Sequence, residues 1–483
     1  MEARKLEETI ALPRETVLDN QIERKRLYQK YCQKLEINTE LTRQLVSFQA
    51  NKSASFYRWL KYKEAFSSEL VRYCINRFHP DHGSVRTILD PFAGAGTTLT
   101  TSTKAGWKAT GIELLPVGVA AMYARLRADT VKIHSFQYFL NRLSRYNFSS
   151  PKVRFRFPHL RITEGAFPRE TENAISSYVD FVRKIRNEDV KYLFLFACMS
   201  ILEDVSYTRK DGQYLRWDSR SPRNLRSSFA KGEIADFRRS ILSKLQLMLE
   251  DIKHRNGDSY SSTVSVFEDS CLNVLPTLPD CSFDIVLTSP PYCNRYDYTR
   301  TYALELAFLG YDELTLKSLR QTLLSATVEN KSKRHTLYEQ YLTRNQENRF
   351  IEAIAAFTNQ PALQEVLAIL YRLKEQNELN NLNIPSMVEN YFFEMNLVIH
   401  ELARVLSKGG RIIMVNDNVQ YHGEEIPVDL ILCDFAEHAG LSVDAIWVLQ
   451  RGKGNSSQQM GAHGRNELRK CVYVWSKSPA HQS

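Results

Sequence analysis

Ser289, Pro290, Pro291 and Tyr292 follow the hydrophobic run at 284–287 after one residue, Thr288. Neither proline can donate to a sheet ladder, so a strand arriving here must stop. Open α/β sheets take their ligands just beyond the carboxyl ends of their strands. A stiff loop with one hydroxyl, one fixed carbonyl and one aromatic ring suits a small, flat, polar group. Taken alone, the tetrapeptide also reads as a surface turn followed by an anchoring tyrosine.

A second constellation lies upstream in "DPFAGAGTT", with Asp90, Pro91, Phe92, Gly94, Gly96, Thr97 and Thr98. Gly94 and Gly96 permit a tight turn and close backbone approach to a ligand. Leu99 occupies the position of the third glycine in a dinucleotide-binding pattern, and no Gly-Lys-Ser/Thr follows. A P-loop is therefore excluded and a nicotinamide site disfavoured. Glu113 ends the next strand, where a carboxylate accepts hydrogen bonds from ribose hydroxyls. Asp269 ends the strand after that. The plain alternative is a glycine turn that only lets helix pack on sheet.

These residues need strands to carry them, and the hydrophobic pattern supplies candidates. "VRTILD", "KATGIE", "STVSVFEDS", "FDIVLTS" and "RIIMVND" read as strands, separated by helical patterns. Two helical stretches interrupt this alternation. The expected architecture is a doubly wound α/β sheet with two helical insertions. The expected divisions are a helical arm (1–50), a cofactor-binding half (51–125), a helical insertion (126–260), a catalytic half (261–310), a second helical insertion (311–385) and the remainder of the core (386–483).

The 483 residues exceed what one ordinary core accommodates. A charge of +9 leans weakly towards a polyanionic partner. The eight cysteines form no CxxC pair, which argues against a zinc site or a disulfide framework. With no apolar leader and no long apolar run, the expectation is a soluble cytoplasmic protein that uses neither metal nor membrane.

"DPFAGAGTT" and "TSPPY" resemble the cofactor and catalytic loops of the S-adenosylmethionine-dependent DNA methyltransferases that modify exocyclic amines. The resemblance covers roughly 55–125, 262–310 and 390–477, in the order that sets the cofactor half first. It implies a Rossmann-like methyltransferase sheet whose last two strands are antiparallel, and S-adenosyl-L-methionine as cofactor. "KYKEAFSSELVRYCI" is similar to the segment that touches the methionine part of the cofactor, with Phe66 and Ser67 at the matching positions. Ser289 at the head of the catalytic loop goes, in the family, with N4 of cytosine, whereas Asp or Asn goes with N6 of adenine. The family's cytosine-C5 relatives need a Pro-Cys nucleophile, which this chain lacks.

The chemistry is compatible with the residues. An exocyclic amine is a poor nucleophile because its lone pair is delocalised into the ring. Ser289 and the Pro290 carbonyl can accept its two N–H bonds, and Tyr292 can stack on the flipped base.

Double-stranded DNA is the expected partner, with a cognate restriction nuclease or other defence proteins possible in addition. The stretch 207–232 interleaves Arg209, Lys210, Arg216, Arg220, Arg223 and Arg226 with aromatic residues, as phosphate contact and base stacking require. A solvated charged loop is the alternative reading. The loop 451–470 is a second candidate, and Asn294 and Arg295 are placed to meet the flipped nucleotide. Adenine-N6 methylation of DNA, base-amine methylation of RNA, and a nucleic-acid-binding protein with a vestigial cofactor pocket remain open.

Overall fold

The computed structural model describes residues 22–63, 65–78, 86–148, 155–211, 214–223, 228–255, 263–449 and 468–479. In chain order the strands are β1 (Leu35–Ile37), β2 (Thr87–Asp90), β3 (Lys108–Ile112), β4 (Thr208–Asp211), β5 (Tyr214–Trp217) and β6 (Val264–Phe267). They continue with β7 (Phe283–Thr288), β8 (Leu406–Asp417), β9 (Val419–Tyr421), β10 (Glu424–Ile426), β11 (Ser442–Val448) and β12 (Lys470–Ser476).

Among the described residues, eight strands form one sheet in the order β1-β11-β12-β8-β7-β2-β3-β6. The run β8-β7-β2-β3-β6 is parallel throughout. β12 is antiparallel to both β8 and β11, as the family resemblance implies. Both faces of this sheet are covered, and the strand period of two divides its residues between two cores. Ile88, Leu287, Ile413 and Val415 meet Leu70, Val71 and Leu99 on one face. Leu89, Val286, Ile412 and Met414 meet Leu402 and Leu432 on the other.

The first insertion shares a core with Trp59, Val117 and Tyr302, in which Tyr178, Leu193, Phe194, Ile241 and Met248 are fully buried. It also holds the hairpin β4–β5, which the helical reading of 126–260 did not anticipate. Four-residue strands are too short to reveal a period. The arm read as helical to residue 50 differs as well. Helix Ile22–Tyr31 is followed by β1, which adds a parallel edge strand beside β11. Arg24 anchors this arm, bonding Glu365 at 2.7 Å and Glu424 at 3.0 Å with only 3% of its surface exposed.

From β2 the chain winds outwards through β3 to β6, whereas β7 and β8 lie on the other side of β2. Such a reversal opens a crevice at the carboxyl ends of the central strands.

Candidate active site

Four neighbouring parallel strands end side by side, and each end carries one of the features singled out in the sequence. β2 leads into the glycine loop, β3 into Glu113, β6 into Asp269 and β7 into Ser289–Tyr292. Gly94, Glu113, Asp269, Ser289 and Pro291 line a single open cleft, with Pro91 and Phe92.

The glycine loop is held from beneath. Asp90 is 1% exposed, and its carboxylate accepts bonds from Thr98 Oγ1 (2.6 Å), Thr288 Oγ1 (2.7 Å) and the Phe92 amide (3.2 Å). Those bonds join the end of β2 to the first turn of helix Thr97–Lys104 and to the last residue of β7. Burial pushes the Asp90 carboxyl up to about 6. Asp90, Thr97 and Thr98 thus shape the loop from within the core and do not line the cleft.

Gly94 and Gly96 have φ of +52° and +75°, a region that favours glycine. A Cβ on Gly96 would meet Met122 Cγ at 2.5 Å, and one on Gly94 would meet the Tyr62 ring at 3.1 Å. Tyr62 is itself positioned by stacking on Tyr302, with ring centroids 5.3 Å apart.

Glu113 binds the loop in turn. Its carboxylate accepts the Gly94 and Leu115 amides, both at 2.6 Å. Burial outweighs those bonds and pushes its carboxyl up to about 7. Asp269 accepts from the Ser270 amide at 2.6 Å and from Asn273 Nδ2 at 2.9 Å. Between these two carboxylates the walls are apolar, built from Phe92, Ile112, Leu114, Cys271 and Leu324. Acceptors at two corners and apolar walls between them fit an adenosine, with hydroxyls at one end and an exocyclic amine at the other.

In the catalytic loop, Ser289 Oγ donates to the Tyr292 hydroxyl at 3.3 Å. Tyr292 is 8% exposed, and Lys470 Nζ lies 5.4 Å from its ring centroid. The backbone beyond is pinned by Tyr421, whose hydroxyl donates to the Cys293 carbonyl at 2.6 Å. Cys293 is fully buried, and burial pushes its thiol up. Asp297 caps helix Tyr298–Thr301 and pairs with Arg300 (3.2 Å) and Arg320 (3.1 Å).

Other sequence candidates sit elsewhere. Ser67 is fully buried as a helix cap, accepting from the Leu70 amide and donating to the Leu45 carbonyl at 2.6 Å. Phe66 is buried in the core beside Leu70. Neither lines the cleft, whereas Tyr62 of the same segment does. Asn294 caps the Tyr296 amide, and Arg295 reaches Asn380 at 3.1 Å.

The basic stretch divides into two groups. Lys210 is 4% exposed and paired with Glu305 and, at 3.6 Å, with Glu203, so it faces the core rather than a phosphate. Arg220 is committed to Asp218, and Arg223 donates to the Ile162 carbonyl at 2.8 Å. Arg209 and Arg216 are exposed and stand directly opposite each other on β4 and β5. The guanidinium of Arg216 lies 4.5 Å from the Phe229 ring centroid. Arg226 and most of the 451–470 loop lie outside the described residues.

Sequence reading missed Tyr62, Leu114, Cys271, Tyr298, Leu323 and Leu324 as lining residues. Leu114 and Cys271 sit one and two positions beyond the acidic residues already singled out, which is the signal that could have found them. Among the described residues, no group of three or more His, Cys, Asp or Glu could hold a metal ion, and no helix is long and apolar enough to cross a membrane.

Two relatives bear the name type II methyltransferase M.AvaI, one from Nostoc sp. (strain PCC 7120) and one from Anabaena variabilis. Each is 46% identical over 471 residues, covering 94% of this chain and 93% of the relative. Type II methyltransferase M.BsoBI of Geobacillus stearothermophilus is 43% identical over 479 residues, covering 95% and 92%. No protein-family model matches the chain. With a methyltransferase-type sheet and such likeness along nearly its whole length, the chain belongs to the type II methyltransferases, the DNA-methylating enzymes of restriction–modification.

Proposed function

We propose that this enzyme methylates the N4 amine of a cytosine flipped out of duplex DNA, with S-adenosylmethionine as the donor. One observation carries the reading. The glycine loop, Glu113, Asp269 and the Ser289–Tyr292 loop end adjacent strands around one cleft.

In this reading Glu113 accepts the ribose hydroxyls, Asp269 the adenine amine, and the Gly94 backbone lies against the methionine part. S-adenosylmethionine, when bound, supplies a methyl group already activated by its sulfonium. The protein's own task is orientation. Ser289 Oγ and the Pro290 carbonyl accept hydrogen bonds from the two amine N–H groups and turn the nitrogen lone pair towards the cleft. Tyr292 holds the base in plane. Correct positioning of this kind is worth several orders of magnitude in rate. Ser289, where adenine-modifying members of the resembled family carry Asp or Asn, favours cytosine. The enzyme would work in the cytoplasm beside a cognate restriction nuclease. The test is methyl transfer from labelled cofactor to duplex DNA followed by nucleoside analysis. Label on N4-methylcytosine supports the assignment, and label on N6-methyladenine overturns it.

Arg209 and Arg216 are proposed to meet the DNA backbone. Like charges directly opposed across a strand pair destabilise it, and a polyanion relieves that cost. Replacing both with Gln should flatten the salt dependence of DNA binding by roughly 0.9 per lost phosphate contact. Cofactor affinity should not change. Unaltered slopes in filter-binding titrations would remove the hairpin from the interface.

Gly118 gives a second test. A Cβ there would meet the Gly94 carbonyl oxygen at 2.5 Å and Glu113 Cγ at 3.0 Å. The obstruction is backbone, so Gly118→Ala must displace the glycine loop at a cost of about 1–3 kcal/mol. Calorimetric titration should show weakened S-adenosylmethionine binding, with DNA affinity retained.

A further inference from the structure

The insertion at 311–385 shows no sequence signal beyond helix, yet one segment of it walls the cleft. Leu323 and Leu324 line the same cavity as Glu113, Asp269 and Pro291. They open a stretch, 323–333, that contains neither helix nor strand. One carboxylate ties its two ends together. Glu394, from helix Ile384–Val405, is fully buried. It accepts the Ser325 amide at 2.8 Å and the Ser325 hydroxyl at 2.6 Å. Lys333 Nζ reaches both Glu394 oxygens at 2.8 Å, and also donates to the Leu323 carbonyl at 2.8 Å and Ser325 Oγ at 3.0 Å. The bonds therefore close a ring around the leucine pair.

We propose that Ser325, Lys333 and Glu394 are positioning residues that hold Leu323 and Leu324 as an apolar wall against the adenine ring of the cofactor. The inference rests on the cofactor reading of the cleft given above. Stability alone gives a weak account of the ring, because a well-packed apolar pair of similar volume often serves a core as well as a buried ion pair. The ring instead converges on a stretch without helix or strand that borders the cleft. The same stretch is tied to the catalytic side. Asn330 Nδ2 donates to the Arg320 carbonyl at 2.7 Å, and Arg320 pairs with Asp297 just after the catalytic loop.

The experiment titrates S-adenosylmethionine into the wild-type enzyme, Lys333→Met, Ser325→Ala and Leu324→Ala, and measures steady-state methyl transfer for each. Loss of the Lys333 bonds, and with them the hold on the leucine pair, should raise Kd and KM for the cofactor roughly tenfold in Lys333→Met. kcat at saturating cofactor should stay within about twofold, because the reacting groups are untouched. Ser325→Ala should shift Kd in the same direction by less. Leu324→Ala, which leaves the ring intact, should also weaken cofactor binding, and it keeps the test open if Lys333→Met does not fold. Variants that bind with wild-type affinity, or that lose kcat with KM unchanged, overturn the inference. A wild-type enzyme that fails to bind S-adenosylmethionine overturns the cofactor reading itself.

Discussion

Tyr292→Ala is expected to be all but inactive in methyl transfer while binding S-adenosylmethionine as the wild type does. Loss of a base–aromatic stacking contact costs about 1–3 kcal/mol. A misoriented amine adds a further factor of about a hundred. Cofactor affinity should survive because Ser289 and Pro291 line the cleft and Tyr292 does not. The loop backbone should also stay in place, since it is held beyond the ring by the bond from Tyr421 to the Cys293 carbonyl. Tyr292→Phe is the informative control. It keeps the stacking face, loses the contact with Ser289 Oγ, and should retain much of the activity. Labelled methyl transfer, paired with calorimetric titration, reads both quantities. An active Tyr292→Ala enzyme, or label found on cytosine C5, would end the proposed mechanism.

The second large effect concerns Glu113. Burial raises its carboxyl to about 7, above its ordinary 4.5, and raises Asp90 in the same direction to about 6. The folded protein therefore holds protons that the unfolded chain has released. Stability contributed by the neutral carboxyls is present below their ordinary values and is lost as pH rises through 6 and 7. Cofactor binding should run the other way, because ribose hydroxyls donate to a carboxylate better than to a carboxylic acid. Affinity should rise with pH through about 7 and then level. Glu113→Gln removes the charge and leaves one acceptor oxygen where two amides and two hydroxyls need partners. It should weaken binding by roughly 1.5–3 kcal/mol above that pH and flatten the dependence. Titrations across the neutral range decide the matter, and a Glu113→Gln enzyme with wild-type affinity and slope would refute the assignment.

Where a residue's role depends on its neighbours along the chain, sequence reading served well. Gly94 and Gly96 between strand and helix, Glu113 and Asp269 at strand ends, and Pro290 stopping β7 are local statements, and the sheet carries all of them. Ser67 shows where such reading stops. A serine at a helix start satisfies the same pattern whether its hydroxyl faces a ligand or caps the helix, and here it caps. Lys210 shows the same for charge. A four-residue strand has two faces, and only the partner on the inner face, Glu305, reveals that this lysine points inwards while Arg209 and Arg216 point out.

By itself, then, the amino-acid order determined where these strands end and which residues stand there, because tight turns, strand termination and hydrogen-bonding capacity belong to a few adjacent residues. Only the tertiary structure decided which strand ends lie side by side, that Tyr62 packs against the glycine loop, and that Glu394 holds Ser325 and Lys333 beside the cleft. Glu394 and Ser325 are 69 positions apart. A contact across that distance is set by how helices and sheet pack, and no local pattern records it.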